Sequence, residues 1–332
     1  MKKLLATAAL IGSVAFSAAQ ADTLEGTGAS FPYPVYKAWI TDYYKATGNQ
    51  VNYSPTGSGT GIKEISARHV DFGGSDKPLE PSVLKKKGLY MFPTVVGAIT
   101  FSYNVPGVEN LKLSEAAISG IMLGNIEYWD AATLVADNSD VQLPHEKILF
   151  VHRSDKSGTT FNFTYYLSKM NSVWRRHFGA KKSVNWPMKN QIAGKGNFGV
   201  STAIKTNKYS IGYVDYADAV KNGLDMATIE DKSGKFIEPK PANFVSAAGS
   251  ANLDPKNDFY SIIAYPKSGY PMIAATFILL PSEKQDKNKE VTKFFDYAYE
   301  NGDAAASKLG YVPLPKTVKD KIRGYWADKG VK

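Results

Sequence analysis

The stretch HRSDKSGTTFNFTYYL, residues 152–167, joins a predicted strand to a predicted helix through a short polar turn. Arg153 stands at the end of the strand, and Ser157-Gly158-Thr159 leads into an aromatic, helix-like run. The N-terminus of a helix favours anions, because its backbone N–H groups lack partners and the helix dipole is positive there. The turn is therefore compatible with a serine nucleophile, with a nucleotide phosphate loop or with a site for a free anion.

Two more small-residue turns precede predicted helices. Gly28-Ala29-Ser30-Phe31 precedes a helix at residues 32–47, and Gly57-Ser58-Gly59-Thr60 precedes one at residues 61–68. Glycine lets the backbone approach a ligand closely, and the hydroxyl groups add hydrogen-bond donors. Any one such turn is more often a plain helix cap than a ligand site. Three of them in one basic chain favour an anion-binding site.

Two charged side chains would select the kind of anion. Arg153 supplies a fixed positive charge whose planar fork matches two oxyanion oxygens. Asp76 ends the strand-like stretch VDFGGSD, residues 70–76. A carboxylate there would accept a hydrogen bond from the proton that phosphate carries near neutral pH, whereas sulfate carries no proton and would be repelled. Asp76 is equally compatible with a structural cap after the strand, so the sequence leaves both interpretations open.

Motifs for catalysis are largely missing. Ser58 lies in TGSGT, which lacks the first glycine of GxSxG, and Gly194-Lys195 is followed by Gly196 where a Walker A motif needs Ser or Thr. The four histidines are His69, His145, His152 and His177. They show neither HExxH nor HxH spacing, so we predict no metal and no cofactor. A secreted phosphoesterase with Ser58 or Ser157 as its nucleophile is the alternative from another functional class.

The first 21 residues resemble a cleaved secretory signal peptide. Lys2 and Lys3 precede an apolar stretch at residues 4–16, and Ala19-Gln20-Ala21 has the pattern of a cleavage site. The apolar stretch is too short to span a bilayer, which argues against a membrane anchor. The chain contains no cysteine, so none is available for lipid attachment at the cleavage site. We predict a mature protein that is free in the periplasm of a Gram-negative bacterium.

Length and composition predict a folded protein of two domains. A chain of 332 residues is long for one core. Its 43% hydrophobic and 21% charged residues are typical of globular proteins. Removing Lys2 and Lys3 lowers the net charge from +9 to +7, an excess that suits an anionic ligand. The lysines are scattered and no nucleic-acid motif is present, so we predict no nucleic-acid partner.

Short apolar runs alternate with amphipathic segments after residue 22, which predicts an α/β fold. The predicted strands are residues 51–54, 70–75, 95–103, 148–152 and 276–280. The predicted helices are residues 32–47, 61–68, 161–170, 291–301 and 315–326. Polar connections are expected at residues 138–147, 246–258 and 281–289.

Ten stretches, in order, resemble the periplasmic phosphate-binding proteins of bacterial ABC phosphate importers. They are GTGASFPYPVYKAW, VNYSPTGSGTGIKEI, VDFGGSDKPL, FPTVVGAI, HRSDKSGTTFNFTYYL, VNWP, GKGNFGV, IGYVDYA, TFILL and KFFDYAY. The resemblance covers essentially the whole chain after the signal peptide, and the stretches with predicted anion contacts are specific to that family.

The resemblance implies a role for each site residue. Ser30, the backbone N–H of Phe31 and Ser58 would contact phosphate from one side, and Asp76 would accept the phosphate proton. The contacts from the other side would come from Arg153, Ser157, Gly158 and Thr159. Asp155, two residues after the arginine, would hold Arg153 in place without contacting the anion.

The family fold is a two-lobed α/β clamp of the type II, Venus-flytrap kind, with a mixed sheet flanked by helices in each lobe. By resemblance, lobe I comprises residues 22–95 and 268–332, lobe II comprises residues 96–267, and the crossings lie near residues 93–97 and 265–271. The expected function is capture of inorganic phosphate and its delivery to a membrane permease with ATPase subunits. We expect a monomer without enzymatic activity. A binding protein for another oxyanion, such as sulfate, is the alternative within the same class.

Overall fold

The computed structural model describes residues 23–332, so the predicted signal peptide at residues 1–21 lies outside the described residues. The strands are β1 (Leu24–Gly28), β2 (Val51–Ser54), β3 (Phe72–Ser75), β4 (Leu89–Asn104), β5 (Lys112–Leu113), β6 (Leu149–Arg153), β7 (Gln191–Gly194), β8 (Ser210–Asp215), β9 (Asp225–Met226), β10 (Thr228–Glu230), β11 (Phe236–Ile237), β12 (Ile273–Pro281) and β13 (Val312–Pro313). The helices are α1 (Tyr33–Thr47), α2 (Ser58–Ser66), α3 (Pro81–Lys87), α4 (Glu115–Met122), α5 (Ala132–Asp137), α6 (Gly158–Met170), α7 (Ser172–His177), α8 (Gly196–Thr206), α9 (Tyr216–Asn222), α10 (Pro241–Ala248), α11 (Gln285–Asn301), α12 (Asp303–Lys308) and α13 (Lys316–Asp328). A short 3-10 helix spans Pro255–Asn257.

One long strand, β4, organises the main sheet, whose strand order is β2-β1-β3-β12-β4-β8-β6-β7. Its 16 residues are almost continuously buried, as expected for a strand that is covered on both faces. Residues 89–98 of β4 pair antiparallel with β12, and residues 99–104 pair antiparallel with β8. We call β1, β2, β3, β12 and the first part of β4 the N-terminal half-sheet. The remaining part of β4 with β6, β7 and β8 is the central half-sheet.

The change of partner along β4 falls between Ala98 and Ile99. The crossing expected from the resemblance lies just before this point, at residues 93–97. The chain returns to the N-terminal half-sheet through the segment before β12, where the Tyr265 N–H donates to the Pro271 carbonyl at 2.8 Å. The residue bounds of the two lobes remain a prediction.

Each half-sheet contains a set of parallel strands whose carboxyl ends lead into helices. β1 runs parallel to β2 and β3, and β6 runs parallel to β7 and β8. The helices α1, α2, α6 and α8 begin a few residues after β1, β2, β6 and β7 end. Polar residues in these connections are therefore brought to the edge at which open α/β sheets commonly bind ligands.

Most predicted elements are present, with corrections at their ends. The helix predicted at residues 32–47 is α1, which ends at Gly48 with φ +74°. The helices α2 and α6 begin at Ser58 and Gly158, three residues before their predicted starts, so two of the predicted turns are first helical turns. The connection predicted at residues 281–289 is wrong in its second half, because α11 begins at Gln285. Helix α10 likewise extends into the connection predicted at residues 246–258.

Aromatic packing holds the helices against the N-terminal half-sheet. Phe295 of α11 makes edge-on contacts with Tyr36, Phe72 and Phe92, at centroid distances of 5.6 to 5.8 Å. All four side chains are fully buried, and each large apolar side chain contributes about 2 to 3 kcal/mol through burial. Within residues 23–332, every helix falls short of the length and apolar character needed to cross a membrane.

Candidate functional site

The residues singled out in the sequence converge where the two half-sheets face each other. The N–H of Gly158 donates to Ser58 Oγ at 3.1 Å, and Asn162 Nδ2 donates to the Asp76 carbonyl at 2.7 Å. The partners in these pairs lie 100 and 86 residues apart in sequence but meet in one buried cluster. The structure thus brings together Ser30, Ser58 and Asp76 from the N-terminal half-sheet with the Arg153 group from the central half-sheet.

Arg153, the last residue of β6, is held in a fixed orientation by its hydrogen bonds. Its Nε and Nη2 donate to the two carboxylate oxygens of Asp155 at 2.8 and 2.6 Å. Its Nη1 donates to Thr159 Oγ1 at 3.2 Å and to Asn197 Oδ1 at 3.3 Å. The side chain of Arg153 is only 1% exposed, so the charge is shielded from solvent and is aimed by its neighbours.

The hydroxyls of Ser58 and Ser30 accept hydrogen bonds from N–H groups. Ser58 Oγ accepts from the amides of Asp76 and Gly158, at 3.2 and 3.1 Å. Ser30 Oγ accepts from the backbone amide and from Nδ2 of Asn197, at 3.1 and 3.3 Å. A hydroxyl has two acceptor lone pairs and one donor hydrogen. Since both lone pairs are used, each hydroxyl retains only the capacity to donate.

The hydroxyls of Ser157 and Thr159, at the start of α6, also accept hydrogen bonds from N–H groups. Thr159 Oγ1 accepts from Arg153 Nη1 and from Asn197 Nδ2, both at 3.2 Å. Ser157 caps the helix, because its Oγ accepts from the Thr160 amide at 3.1 Å. The side chains of Ser157 and Thr159 are buried. The hydroxyl hydrogens of Ser30 and Thr159 are therefore available to an acceptor ligand, whereas that of Ser58 is shared with Asp76.

Asp76 is an acidic residue of the cluster and is 1% exposed. Burial raises the pKa of its carboxyl to about 7, although the hydrogen bond from Thr276 and the positive charge of Arg153 oppose this shift. Thr276 Oγ1 donates to Asp76 Oδ1 at 2.7 Å, and Ser58 Oγ donates to Oδ2 at 3.4 Å. A carboxyl in this state accepts or exchanges a proton near neutral pH.

The backbones of Phe31 and Gly158 are fixed by their neighbours, and the predicted contact of the Phe31 N–H with the anion stays a prediction. Phe31 is fully buried, and its carbonyl accepts from the Tyr311 hydroxyl at 2.6 Å. At Gly158, a Cβ atom would overlap Ser58 Oγ and would lie 2.7 Å from the Asp76 Cβ. Only glycine at this position lets the start of α6 approach Ser58 and Asp76 so closely.

Three side chains of the cluster were not predicted. Asn197 contacts Ser30, Thr159 and Arg153, Thr276 contacts Asp76, and Asn162 contacts the Asp76 carbonyl. Asn197 and Thr276 lie in the stretches GKGNFGV and TFILL. The position of Asn197 just after β7 could have identified it. Like the three predicted turns, it lies where a strand leads into a helix.

The histidines form contacts elsewhere. His69 and His145 pair with Glu64 and Asp130, both at 2.8 Å. His152 Nδ1 lies 3.0 Å from the Arg153 carbonyl. Among residues 23–332, no three side chains of His, Asp or Glu are grouped in a way that could hold a metal ion.

Sequence comparisons identify relatives over almost the whole chain. A family model described as a PBP superfamily domain matches residues 13–301. The phosphate-binding protein PstS of Haemophilus influenzae is 42% identical over 332 residues, covering 98% of this chain and 98% of that protein. The phosphate-binding protein PstS of Pasteurella multocida is 42% identical over 313 residues, covering 92% of this chain and 90% of that protein.

Solved structures share the fold. A high-affinity periplasmic phosphate-binding protein solved with phosphate has a TM-score of 0.75 at 22% identity, over 91% of this chain and 93% of that chain. A putative phosphate ABC transporter substrate-binding protein with bound phosphate, from Clostridium perfringens, has a TM-score of 0.66 at 16% identity, over 89% and 100%. These similarities confirm the predicted α/β fold of a periplasmic binding protein, with a mixed sheet flanked by helices. By its sequence relatives, the chain belongs to the PstS family of phosphate-binding proteins.

Proposed function

We propose that the protein is a receptor without enzymatic activity that captures inorganic phosphate between its two half-sheets. The observation that carries this proposal is that Arg153 lies in one buried cluster with the hydroxyls of Ser30 and Thr159, whose acceptor lone pairs are filled by N–H groups. Such hydroxyls donate, and a phosphate dianion offers many acceptor sites to them. In this proposal, the ligand contacts come from Ser30, Phe31, Ser58, Asp76, Arg153, Ser157, Gly158 and Thr159.

Asp76 gives the site its preference for phosphate over sulfate. Its buried carboxyl accepts the proton of a hydrogen phosphate ion, whereas sulfate would place unrelieved negative charge against it. Asp155 acts through Arg153, since both of its carboxylate oxygens are bonded to the guanidinium.

Ligand capture is coupled to closure and delivery. A phosphate ion bound by both half-sheets would stabilise the closed arrangement through its contacts to each. The closed receptor would then deliver phosphate to the permease and ATPase subunits of an ABC importer. We place the mature chain in the periplasm, as a monomer with lobe I at residues 22–95 and 268–332 and lobe II at residues 96–267. The names of the sequence relatives support the phosphate ligand.

Calorimetric titration of the mature chain with phosphate and with sulfate, from about pH 5 to 8.5, tests the function. We expect phosphate to bind far more tightly than sulfate. If sulfate binds within about tenfold of phosphate, which corresponds to about 1.4 kcal/mol, the role of Asp76 in selection is wrong. If phosphate gives no saturable binding, the proposed function itself is wrong.

A chromogenic phosphate ester tests for catalysis in the same preparations. Ser58 and Ser157 act as hydrogen-bond acceptors of backbone amides, and we expect no turnover. Turnover that disappears in Ser157→Ala would establish the phosphoesterase alternative.

A further inference from the structure

We propose that Asn197 is a positioning residue that ties the two groups of anion-facing side chains together and controls the release of the ligand. The inference rests on the proposed function and adds a residue and a kinetic role to it. Asn197 is fully buried and is the second residue of α8. It lies in the first turn of α8, three residues after the end of β7, at the carboxyl edge of the central half-sheet.

Glycines fix the position of Asn197. Gly196 has φ +68°, a conformation that L side chains rarely adopt, and it lets α8 begin two residues after β7 ends. At Gly194, a Cβ would overlap the backbone of Gly199, so the first turn of α8 packs directly over the end of β7. The Asn197 side chain is thereby held at the seam between the half-sheets.

The Asn197 amide meets opposite hydrogen-bonding requirements at its two ends. Its Oδ1 accepts from Arg153 Nη1 at 3.3 Å. Its Nδ2 donates to Ser30 Oγ at 3.3 Å and to Thr159 Oγ1 at 3.2 Å. An aspartate has the same shape and could accept from Arg153, but an ionised carboxylate has no hydrogen to donate. Only an amide satisfies the guanidinium and still leaves both hydroxyl hydrogens free for the anion.

The bond to Ser30 makes Asn197 a link between the half-sheets. Ser30 follows β1 of the N-terminal half-sheet. Arg153 ends β6 of the central half-sheet, and Thr159 and Asn197 lie in the helices that follow β6 and β7. Opening the seam would break the two bonds from Asn197 to Ser30 Oγ, so they oppose ligand release. Association is expected to depend on them much less, because the encounter precedes closure.

The test measures the release of radiolabelled inorganic phosphate into excess unlabelled phosphate, together with the association rate, for the mature chain. We expect Asn197→Asp and Asn197→Ala to release phosphate about 10 to 100 times faster than the wild type, because both lose the Nδ2 bond to Ser30 Oγ across the seam and the Nδ2 bond to Thr159 Oγ1. Association should change by less than about threefold. Asn197→Asp should be at least as impaired as Asn197→Ala, because its carboxylate draws the hydroxyl hydrogens away from the ligand.

Asn138→Ala is the matched control. Asn138 is 1% exposed, and its side chain also makes three hydrogen bonds, but to the backbone of Lys112 and Leu134. It should lower the melting temperature without changing the release rate. Wild-type release in Asn197→Asp, or equally fast release in Asn138→Ala, would overturn the inference about Asn197. Failure of the wild type to bind phosphate would instead overturn the proposed function.

Discussion

At the scale of single residues, Asp76 couples the site to pH. Its carboxyl is almost fully buried, and burial favours the neutral form over the charged one. The pKa is thereby raised from 3.8 to about 7 on folding. Because its pKa is raised on folding, the Asp76 carboxyl does not destabilise the folded state below the unfolded-state pKa. The free energy of unfolding then falls as the pH rises from that value to the folded-state pKa. Asp76 therefore costs stability between about pH 4 and pH 7, by an amount of the order of 4 kcal/mol.

Asp76→Asn removes this titration and should flatten the pH dependence of stability. Between about pH 4 and pH 7, the free energy of unfolding of the phosphate-free wild type should fall by up to about 4 kcal/mol more than that of the variant. Urea unfolding at a series of pH values measures the difference. The other buried carboxyls with raised pKa values, Asp215 and Asp218, are present in both proteins and cancel in the comparison. Parallel pH profiles for the two proteins would contradict the raised pKa.

Arg153→Ala should weaken phosphate binding by about 100-fold or more. The substitution removes a buried charge that bonds to Thr159 and Asn197, and it leaves Asp155 without its charged partner. Lys156→Ala is the control, because Lys156 is exposed and its carbonyl, which the variant keeps, accepts from the Gly59 amide at the start of α2. Its affinity should stay within about threefold of the wild type. Calorimetry compares the two variants, and equal losses would exclude the special role of Arg153.

At the scale of helices and strands, local sequence predicts the parts of the site that depend on local physics. The turn before α6 was recognisable because Ser157 is a preferred capping residue and Gly158 permits close approach. The exact start of α6 was not recognisable, since Ser-Gly-Thr is compatible both with a turn that precedes a helix and with the first turn of the helix itself. The structure places Gly158 and Thr159 inside α6 and makes Ser157 the cap.

The residues that sequence reasoning missed depend on contacts between distant elements. Thr276 lies 200 residues from Asp76 in the sequence, and it reaches Asp76 because β12 pairs with β3. A threonine in an otherwise apolar strand carries no local sign of such a partner. Asn197 was missed because β7 is short and partly exposed, so the strand that positions it lacks a clear apolar pattern.

Ser157, the cap of α6, should contribute both to folding and to phosphate binding. Ser157→Ala tests this, because an ordinary cap would contribute to folding alone. Loss of the bond to the Thr160 amide should cost about 1 kcal/mol of stability and should also weaken phosphate binding by at least about tenfold. Ser114→Ala is the matched control, because Ser114 caps α4 by accepting from the Ala117 amide at 3.1 Å. It should lose similar stability in urea unfolding and keep the wild-type affinity in calorimetry. Unchanged phosphate affinity in Ser157→Ala would show that Ser157 does not bind phosphate.

At the scale of the whole molecule, glycines determine how closely the half-sheets approach. A Cβ at Gly57 would overlap Asp155 Oδ2, and one at Gly59 would overlap the Lys156 side chain. Both glycines lie at the start of α2, and the atoms they face belong to the segment before α6. The Gly59 amide also donates to the Lys156 carbonyl at 2.8 Å, which leaves no space between the two backbones. The seam is a direct contact between the starts of two helices. A side-chain atom added there should therefore impair closure more than it impairs folding.

Gly158→Ala tests this separation of closure from folding. Alanine is the better helix former, so the unliganded variant should keep or slightly raise its melting temperature. Its Cβ would overlap Ser58 Oγ, and Ser58 is fully buried. Phosphate affinity should therefore fall by about 100-fold or more. In small-angle scattering, added phosphate should no longer reduce the radius of gyration as it should in the wild type.

Gly324→Ala is the control for the helix effect, because Gly324 lies inside α13 and nothing would lie within 4 Å of an added Cβ. It should gain up to about 1 kcal/mol of stability and bind phosphate as the wild type does. A Gly158→Ala protein that binds phosphate normally and compacts on binding would show that the contact between Gly158 and Ser58 does not limit closure. A variant that fails to fold would show that this contact is needed for folding as well, because the control already accounts for the alanine itself.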